Sequence, residues 1–304
     1  MYTNMQYKLW RRLTAMGYAI FSDSSCNLPR AQLEEFQAET VSFSYEKEGE
    51  LISCPKYPDE FDGKAFYDYL RNKGGVKTSL LAAGVLMDAF RPALEAGQDV
   101  LYLTMSSAIS GTVSSALHAA ELLKEEFPER TVRVLDSLGA GLGVGLLVGR
   151  AADNRAAGMG LEENYRALEA DRANLCELFT VDDLMFLRRT GRVSGVAAAL
   201  GTMLQLKPML RGDETGHITV FSKVRSRKKA VQTLAELYGK KVRNPETQRV
   251  YISHGDCLEE AQALEEMIRQ IAPPRELITC LHEPLTGSHV GPGMLAVFFL
   301  GEGR

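Results

Sequence analysis

The chain has 304 residues, of which 45% are hydrophobic and 24% charged, a composition typical of globular proteins. Its 35 lysines and arginines against 39 aspartates and glutamates leave a formal net charge of −4, which gives no indication of nucleic-acid binding. The length exceeds what one core usually serves, so two domains are expected. The five cysteines include no C-x-x-C pair, and we expect free thiols in a cytoplasmic protein.

Residues 1–17 precede the first strand-like run and are interpreted as an N-terminal extension. They contain neither an apolar stretch of signal-peptide length nor a small-residue cleavage site, so secretion is not expected. The segment is either helical or a result of start-site choice, with Met16 as an alternative start. No window of the chain approaches the roughly 20 apolar residues of a membrane-spanning helix, so no transmembrane segment is predicted.

The first half alternates strand and helix patterns. Strand-like runs occur at residues 18–21, 100–104 and 131–135, and each is followed by a polar or glycine-rich turn and a helical pattern. A helix after the first strand opens with Pro29 in its first turn. This order predicts an α/β/α domain with a parallel sheet over residues 18–172.

The second half has a different texture. Strand patterns at 206–210 and 217–223 are separated by a turn with hairpin chemistry, which indicates antiparallel pairing. Helices at 227–238 and 258–271 and strands at 250–254, 277–281 and near the C-terminus complete the pattern. We therefore predict a smaller mixed-sheet α/β domain over residues 173–304, with a ligand between the two domains.

Three polar turns rich in hydroxyl side chains, at residues 22–27, 77–79 and 106–112, are candidate binding elements. In open α/β sheets the ligand crevice lies beyond the carboxyl ends of the strands. Hydroxyls donate and accept hydrogen bonds without carrying charge, and they suit a carboxylate or phosphate. Helix capping is the alternative for any single one of these residues, since Ser, Thr, Asp and Asn are the preferred caps.

A histidine, His289, stands among glycines and a proline directly before the apolar run 294–300. This arrangement predicts a polar side chain fixed by backbone geometry in a glycine-rich turn, as in a binding site. An incidental histidine in an ordinary turn is the alternative.

Several common sites are disfavoured by spacing. The glycines that alternate from Gly139 to Gly145 do not match a dinucleotide fingerprint, and close helix packing explains them better. No P-loop and no metal-ligand spacing of histidines and cysteines occurs, so no metal and no cofactor are predicted. A Ser/His hydrolase acting on acyl esters or thioesters stays the second hypothesis, with Ser110, His289 and either Asp23 or Asp136 as an orienting acid.

Basic residues are concentrated at 188–192 and 223–229. Solvated helix ends are the simpler interpretation, but the two clusters could form one cationic docking face.

Seven motifs, in the same order as in that family, resemble the DegV family of bacterial fatty-acid-binding proteins; they lie at 21–29, 77–79, 106–112, 136–137, 181–194, 204–208 and 287–293. The resemblance implies a non-catalytic, two-domain α/β carrier that buries one long-chain fatty acid between its domains. Some members of the family present the acid to a separate fatty acid kinase, which phosphorylates the carboxylate to an acyl phosphate for phospholipid synthesis.

The resemblance also implies roles for individual residues. Thr78 or Ser79, together with Ser110, would hydrogen-bond the carboxylate, and His289 would approach it from the second domain. Supporting turn positions are Ser107, Gly111, Thr112, Gly287 and Gly291, and the positions for partner docking are Arg192 and Arg225. Where the family usually has Gln-Pro-Ser after its Thr-Ser pair, this chain has residues 80–82 as Leu-Leu-Ala. The turn after Thr78 and Ser79 is therefore more apolar than in the family, and no acyl-chain preference is carried over from the resemblance.

Overall fold

A computed structural model describes residues 17–194 and 206–304. The elements of the first half are β1 (Tyr18–Asp23), α1 (Arg30–Phe36), β2 (Ala38–Val41), β3 (Ser44–Lys47), β4 (Glu50–Ser53), α2 (Gly63–Arg71), β5 (Val76–Thr78), α3 (Ala83–Glu95), β6 (Asp99–Thr104), α4 (Thr112–Glu126), β7 (Val132–Asp136), α5 (Leu142–Ala156) and α6 (Leu161–Arg172). The described elements of the second half are β8 (Leu175–Thr180), α7 (Met185–Arg189), β9 (Val193–Ser194), β10 (Leu206–Gly212), β11 (Ile218–Arg225), α8 (Arg227–Lys241), β12 (Arg249–His254), α9 (Leu258–Ile271), β13 (Glu276–Leu281), α10 (Pro284–Val290) and β14 (Leu295–Leu300).

A four-stranded parallel sheet in the order β2-β1-β6-β7 forms the centre of the first half. Every residue of β1 is buried, as expected for a strand covered on both faces by helices. The carboxyl ends of β6 and β7, at Thr104 and Asp136, lie side by side. The predicted parallel sheet is therefore confirmed, and the turns that follow these strands meet at one edge.

The second half is built on a seven-stranded mixed sheet, in the order β13-β12-β14-β8-β10-β11-β9. The pairs β12/β13 and β9/β11 are parallel, and the other neighbours are antiparallel. The β10–β11 hairpin lies where its turn chemistry predicts it. The predicted fold class, a parallel-sheet α/β unit followed by a mixed-sheet one, is confirmed.

One feature was not predicted, a small antiparallel sheet in the order β4-β3-β5 within the first half. Its strands have three or four residues each, and β4 is largely exposed. Such short strands carry little hydrophobic periodicity, so the sequence pattern does not reveal them. The sheet matters for function because β5 ends at Thr78.

Two apolar clusters hold the molecule together. One combines residues of the first half, such as Tyr102, with residues of the second, such as Phe298, so the two halves share a core. The other lies between the larger sheet and helices α8 and α9, where the Tyr238 and Phe299 rings pack edge to face at 5.1 Å. Phe298 and Phe299, which are neighbours in β14, therefore pack on opposite faces of the same sheet.

The close helix packing predicted for the glycine run is confirmed at Gly145. A Cβ at this position of α5 would lie 2.6 Å from the carbonyl oxygen of Cys26, in the turn after β1. Since backbone cannot move aside as a flexible side chain does, only glycine allows α5 to approach this turn so closely.

Candidate functional site

A pocket of about 310 Å³ lies between the carboxyl edge of the parallel sheet and one face of the larger sheet. The turns after β6 and β7 contribute Met105 and Leu138, and the larger sheet contributes Phe179, Ala296 and Phe298. Its volume is at the lower end of the range for small-molecule sites. The pocket is suited to an apolar ligand.

One end of the pocket carries the polar residues that the sequence predicts. Thr78, Ser79, Ser110 and His289 all line it, although Thr78 and His289 are 211 positions apart in the chain. Thr78 Oγ1 and His289 Nε2 form a hydrogen bond of 3.0 Å. Ser79 is exposed and Ser110 half-buried. Groups from both halves therefore meet at this end, near solvent.

The surroundings of His289 favour the neutral form of its imidazole. Burial and, to a smaller extent, the nearby Arg192 guanidinium together lower the pKa of this side chain from 6.5 to about 4. Its Nε2 is bonded to Thr78, whereas Nδ1 is buried without a hydrogen-bond partner among the described residues. Buried polar atoms are normally satisfied, so this ring has one hydrogen-bonding position that the described residues do not use.

The backbone around His289 differs from the expected glycine-rich turn. His289 lies in the last turn of the short helix α10, which begins after Glu283 and ends at Gly291 with φ +77°. A Cβ at Gly287 would lie 2.6 Å from the Tyr67 hydroxyl, so this glycine lets α10 approach Tyr67 of α2. The expected glycine turn was wrong at Gly287, which serves packing within a helix, whereas Gly291 and Gly293, which follow the histidine, both have a φ of +77°.

The supporting positions in the turn after β6 have different surroundings. Gly111 lines the pocket, and a Cβ there would be 3.0 Å from Leu80 Cδ2. Thr112 is buried, and its Oγ1 lies 2.9 Å from Ser110 Oγ, so it orients that hydroxyl. Ser107 is exposed, its backbone N–H donates to Asp136 Oδ1 at 3.2 Å, and it does not line the pocket.

The structure separates the two arginines that the sequence grouped as docking residues. Arg192 is half-buried and lines the pocket. Arg225 is exposed at the last position of β11. Val193, the neighbour of Arg192, pairs with Ile218 at the other end of β11. Ile218 is seven residues from Arg225, or about 23 Å along the strand. Arg192 thus contributes positive charge to the pocket, and Arg225 belongs to the outer surface.

The first polar turn has a structural role. The carboxylate of Asp23 is fully buried and accepts hydrogen bonds from Ser25, Tyr102 and Thr104, and it does not line the pocket. The side chain of Asn27 donates to the Leu281 carbonyl at 3.1 Å and accepts from the Glu283 N–H at 2.9 Å.

Asn27 therefore joins the first half to the segment that leads into α10. Glu283 caps this helix by accepting from the N–H groups of Leu285 and Thr286, and burial raises the pKa of its carboxyl to about 7. Through Asn27 and Glu283, the turn after β1 holds the helix that carries His289.

The geometry required for a Ser/His hydrolase is missing from the described residues. Ser110 Oγ is bonded to Thr112, and His289 Nε2 to Thr78. Asp136 accepts from backbone N–H groups in its own region and Asp23 is occupied as described above, so neither orients His289. The described residues therefore do not form a hydrogen-bonded row of nucleophile, base and orienting acid.

The lining residues that sequence reasoning missed include Glu177, His282, Thr286 and Phe298. His282 is buried, its ring nitrogens are bonded to Ser253 and Thr286 at 2.7 and 2.8 Å, and burial lowers its pKa to about 3. The isolated charge of Glu177 within the apolar strand β8 was a visible signal, because a buried charge requires a partner.

Within residues 17–194 and 206–304, no group of three or more histidine, cysteine or acidic side chains is arranged to hold a metal ion. In the same ranges, no helix combines the length and apolar character needed to cross a bilayer.

Solved structures with this fold include two that are described as fatty acid binding. A DegV family protein of Thermus thermophilus matches with a TM-score of 0.83 and 28% identity, over 94% of this chain and 99% of that one. DegV of Bacillus subtilis matches with a TM-score of 0.80 and 26% identity, over 94% of this chain and 100% of that one.

Sequence comparisons agree with the structural ones. A DegV domain-containing protein of Clostridium perfringens is 37% identical over 289 residues, which cover 94% of this chain and 98% of the relative. A family model described as an uncharacterised protein of the DegV family matches residues 18–302. The resemblance carried by the seven motifs is thereby confirmed, and the chain belongs to the DegV family.

Proposed function

We propose that this protein binds one long-chain fatty acid, with its carboxylate at the Thr78, Ser79, Ser110 and His289 end of the pocket and its acyl chain in the apolar part. The observation that carries the proposal is the neutral His289 with an unpartnered Nδ1, placed beside hydroxyls at the end of an apolar cavity. The two solved relatives from Thermus thermophilus and Bacillus subtilis, described as fatty acid binding, support the same ligand class.

The polar end meets the needs of a carboxylate that leaves water. Such an anion loses its hydration and requires several hydrogen bonds in return. The hydroxyls of Ser79 and Ser110 and the Nδ1–H of His289 are the donors from the two halves, and the Thr78 hydroxyl, by donating to His289 Nε2, fixes the proton on Nδ1. The guanidinium of Arg192 also belongs to the lining, and its positive charge favours a carboxylate in this pocket.

We further propose that the carboxylate is presented to a separate kinase. Ser79, Leu80 and Gly111 line the pocket and are exposed, so the polar end is also the open end. A carboxylate oxygen there is within reach of a phosphoryl donor held by a second protein. The kinase would transfer the γ-phosphoryl group of ATP to that oxygen, giving an acyl phosphate and ADP, and exposed Arg225 would belong to its docking surface.

Direct binding measurements test the first proposal. Titration calorimetry with palmitate and oleate should give a single site. Ser110→Ala should weaken binding about tenfold or more, since one hydrogen bond to a charged group contributes about 1.5–3 kcal/mol. Ser114→Ala is the matched control, because Ser114 is exposed on α4, the helix that follows the Ser110 turn, and does not line the pocket. A folded wild-type protein that binds neither acid would refute the proposal.

The hydrolase hypothesis is tested with the same variants. Turnover of aryl esters or acyl thioesters that disappears in Ser110→Ala would favour it, whereas a carrier gives no turnover in either protein. Kinase presentation is tested by adding a fatty acid kinase and following ADP formation. ADP should form only when the protein and the fatty acid are both present, and Arg225→Glu should lower the rate without changing fatty acid affinity.

A further inference from the structure

The end of the pocket opposite His289 has one acidic side chain in its lining, that of Glu177, which is paired with Arg304 behind it. Met294, directly before β14, and Ala296 and Phe298 within it are alternate residues that all line the pocket. Phe298 therefore lies about 13 Å along the chain from Met294. Phe298 pairs with Glu177 of the neighbouring strand β8. Met294 comes shortly after α10, the helix that carries His289. Phe298 and Glu177 therefore lie at the end of the pocket far from His289.

Glu177 forms a buried ion pair with Arg304 at this end. Its Oε2 lies 2.8 Å from Arg304 Nη2, and its Oε1 accepts from the Ala140 N–H at 2.7 Å. Arg304 is 4% exposed and also donates from Nη1 to the Arg172 carbonyl at 2.9 Å and from Nη2 to the Leu138 carbonyl. Both carboxylate oxygens are hydrogen-bonded and the guanidinium is held by two carbonyl groups, so the pair is fixed in position.

Glycines make room for this pair. A Cβ at Gly139 would lie 2.7 Å from Glu177 Oε1, and one at Gly212 would lie 2.6 Å from Glu177 Oε2 and from Arg304 Nη2. A Cβ at Gly143 would also collide with Glu177. The glycine run that resembled a nucleotide fingerprint therefore contains two positions, Gly139 and Gly143, that accommodate the carboxylate of Glu177.

We infer that the Glu177–Arg304 pair and the Phe298 ring form a rigid end wall that sets the longest acyl chain this protein binds. The inference rests on the proposed fatty acid binding. An apolar wall would yield by changes of rotamer, but displacing one member of a buried ion pair leaves an uncompensated charge. The wall therefore gives a sharp upper limit to chain length.

Affinities for saturated acids of increasing length, from laurate to behenate, test the inference. For the wild type we expect affinity to rise about fourfold with each added methylene while the chain has room, and then to fall. Phe298→Ala removes part of the wall, so its affinity maximum should move to a longer acid. Phe299→Ala makes the same chemical change on the opposite face of the sheet, against Tyr238, and should leave the maximum in place.

A double variant, Glu177→Ala with Arg304→Ala, tests the ion pair itself and replaces the first test if Phe298→Ala does not fold. It opens the wall without leaving one charge unpaired, and its maximum should also move to a longer acid. A folded variant of either kind that keeps the wild-type maximum would overturn the inference while fatty acid binding stands. A wild type that binds none of the acids would overturn the proposed function itself.

Discussion

Replacing His289 by glutamine should change how the stability of the ligand-free protein depends on pH. Burial lowers the pKa of His289 from 6.5 to about 4 in the folded state. Between these values the unfolded chain binds a proton that the folded protein does not, so stability falls as the pH falls. From pH 6.5 to about pH 5, the contribution of His289 to the free energy of unfolding falls by 1.5 pH units at 1.36 kcal/mol each, or about 2 kcal/mol.

Urea denaturation of the wild type and of His289→Gln, at about pH 7.5 and about pH 5, measures this term. The wild type should lose about 2 kcal/mol more than the variant on acidification, because the other titrating groups are common to both. His118→Gln is the control, since its side chain is 62% exposed on α4. Equal losses in the wild type and in His289→Gln would show that His289 is not held neutral by burial.

Three further changes have expected outcomes. Thr78→Val removes the hydroxyl bonded to the site histidine and should weaken palmitate binding about tenfold in calorimetry; unchanged affinity would exclude a role at the carboxylate. Asn27→Ala breaks the hydrogen bond to the Glu283 N–H and leaves buried groups unpaired, so urea denaturation should show a loss of about 2 kcal/mol, and a loss near zero would contradict its bridging role. Gly145→Ala places a Cβ against the Cys26 carbonyl and should lower the free energy of unfolding by about 1–3 kcal/mol, whereas unchanged stability would show that α5 can shift.

The parallel sheet could be predicted because each of its long strands combines an apolar run with a polar or glycine-rich turn and a helix. The small sheet β3–β5 could not, since its strands are too short for periodicity. That omission affected the site. Thr78 could be placed only by its motif, whereas the pairing of β5 with β3 determines its position in the structure.

The candidate site could be predicted in part. Residue types indicated a carboxylate partner, and Thr78, Ser110 and His289 meet in one pocket. Capping was the right interpretation of hydroxyls elsewhere, because the turn after β1 satisfies its own Asp23. Local patterns do not distinguish these cases, since both use the same residue types next to helix starts.

By itself, the sequence determined the alternation of strands and helices, the family, and the residue types at the polar end, because these depend on local periodicity and on motifs. Only the tertiary structure decided that Arg192 joins the pocket, that Asn27 ties the two halves together, and that Glu177 is paired with Arg304. Contacts between residues more than a hundred positions apart are set by the pairing of strands within a sheet and by the packing of elements from the two halves. No local pattern in the chain encodes that arrangement.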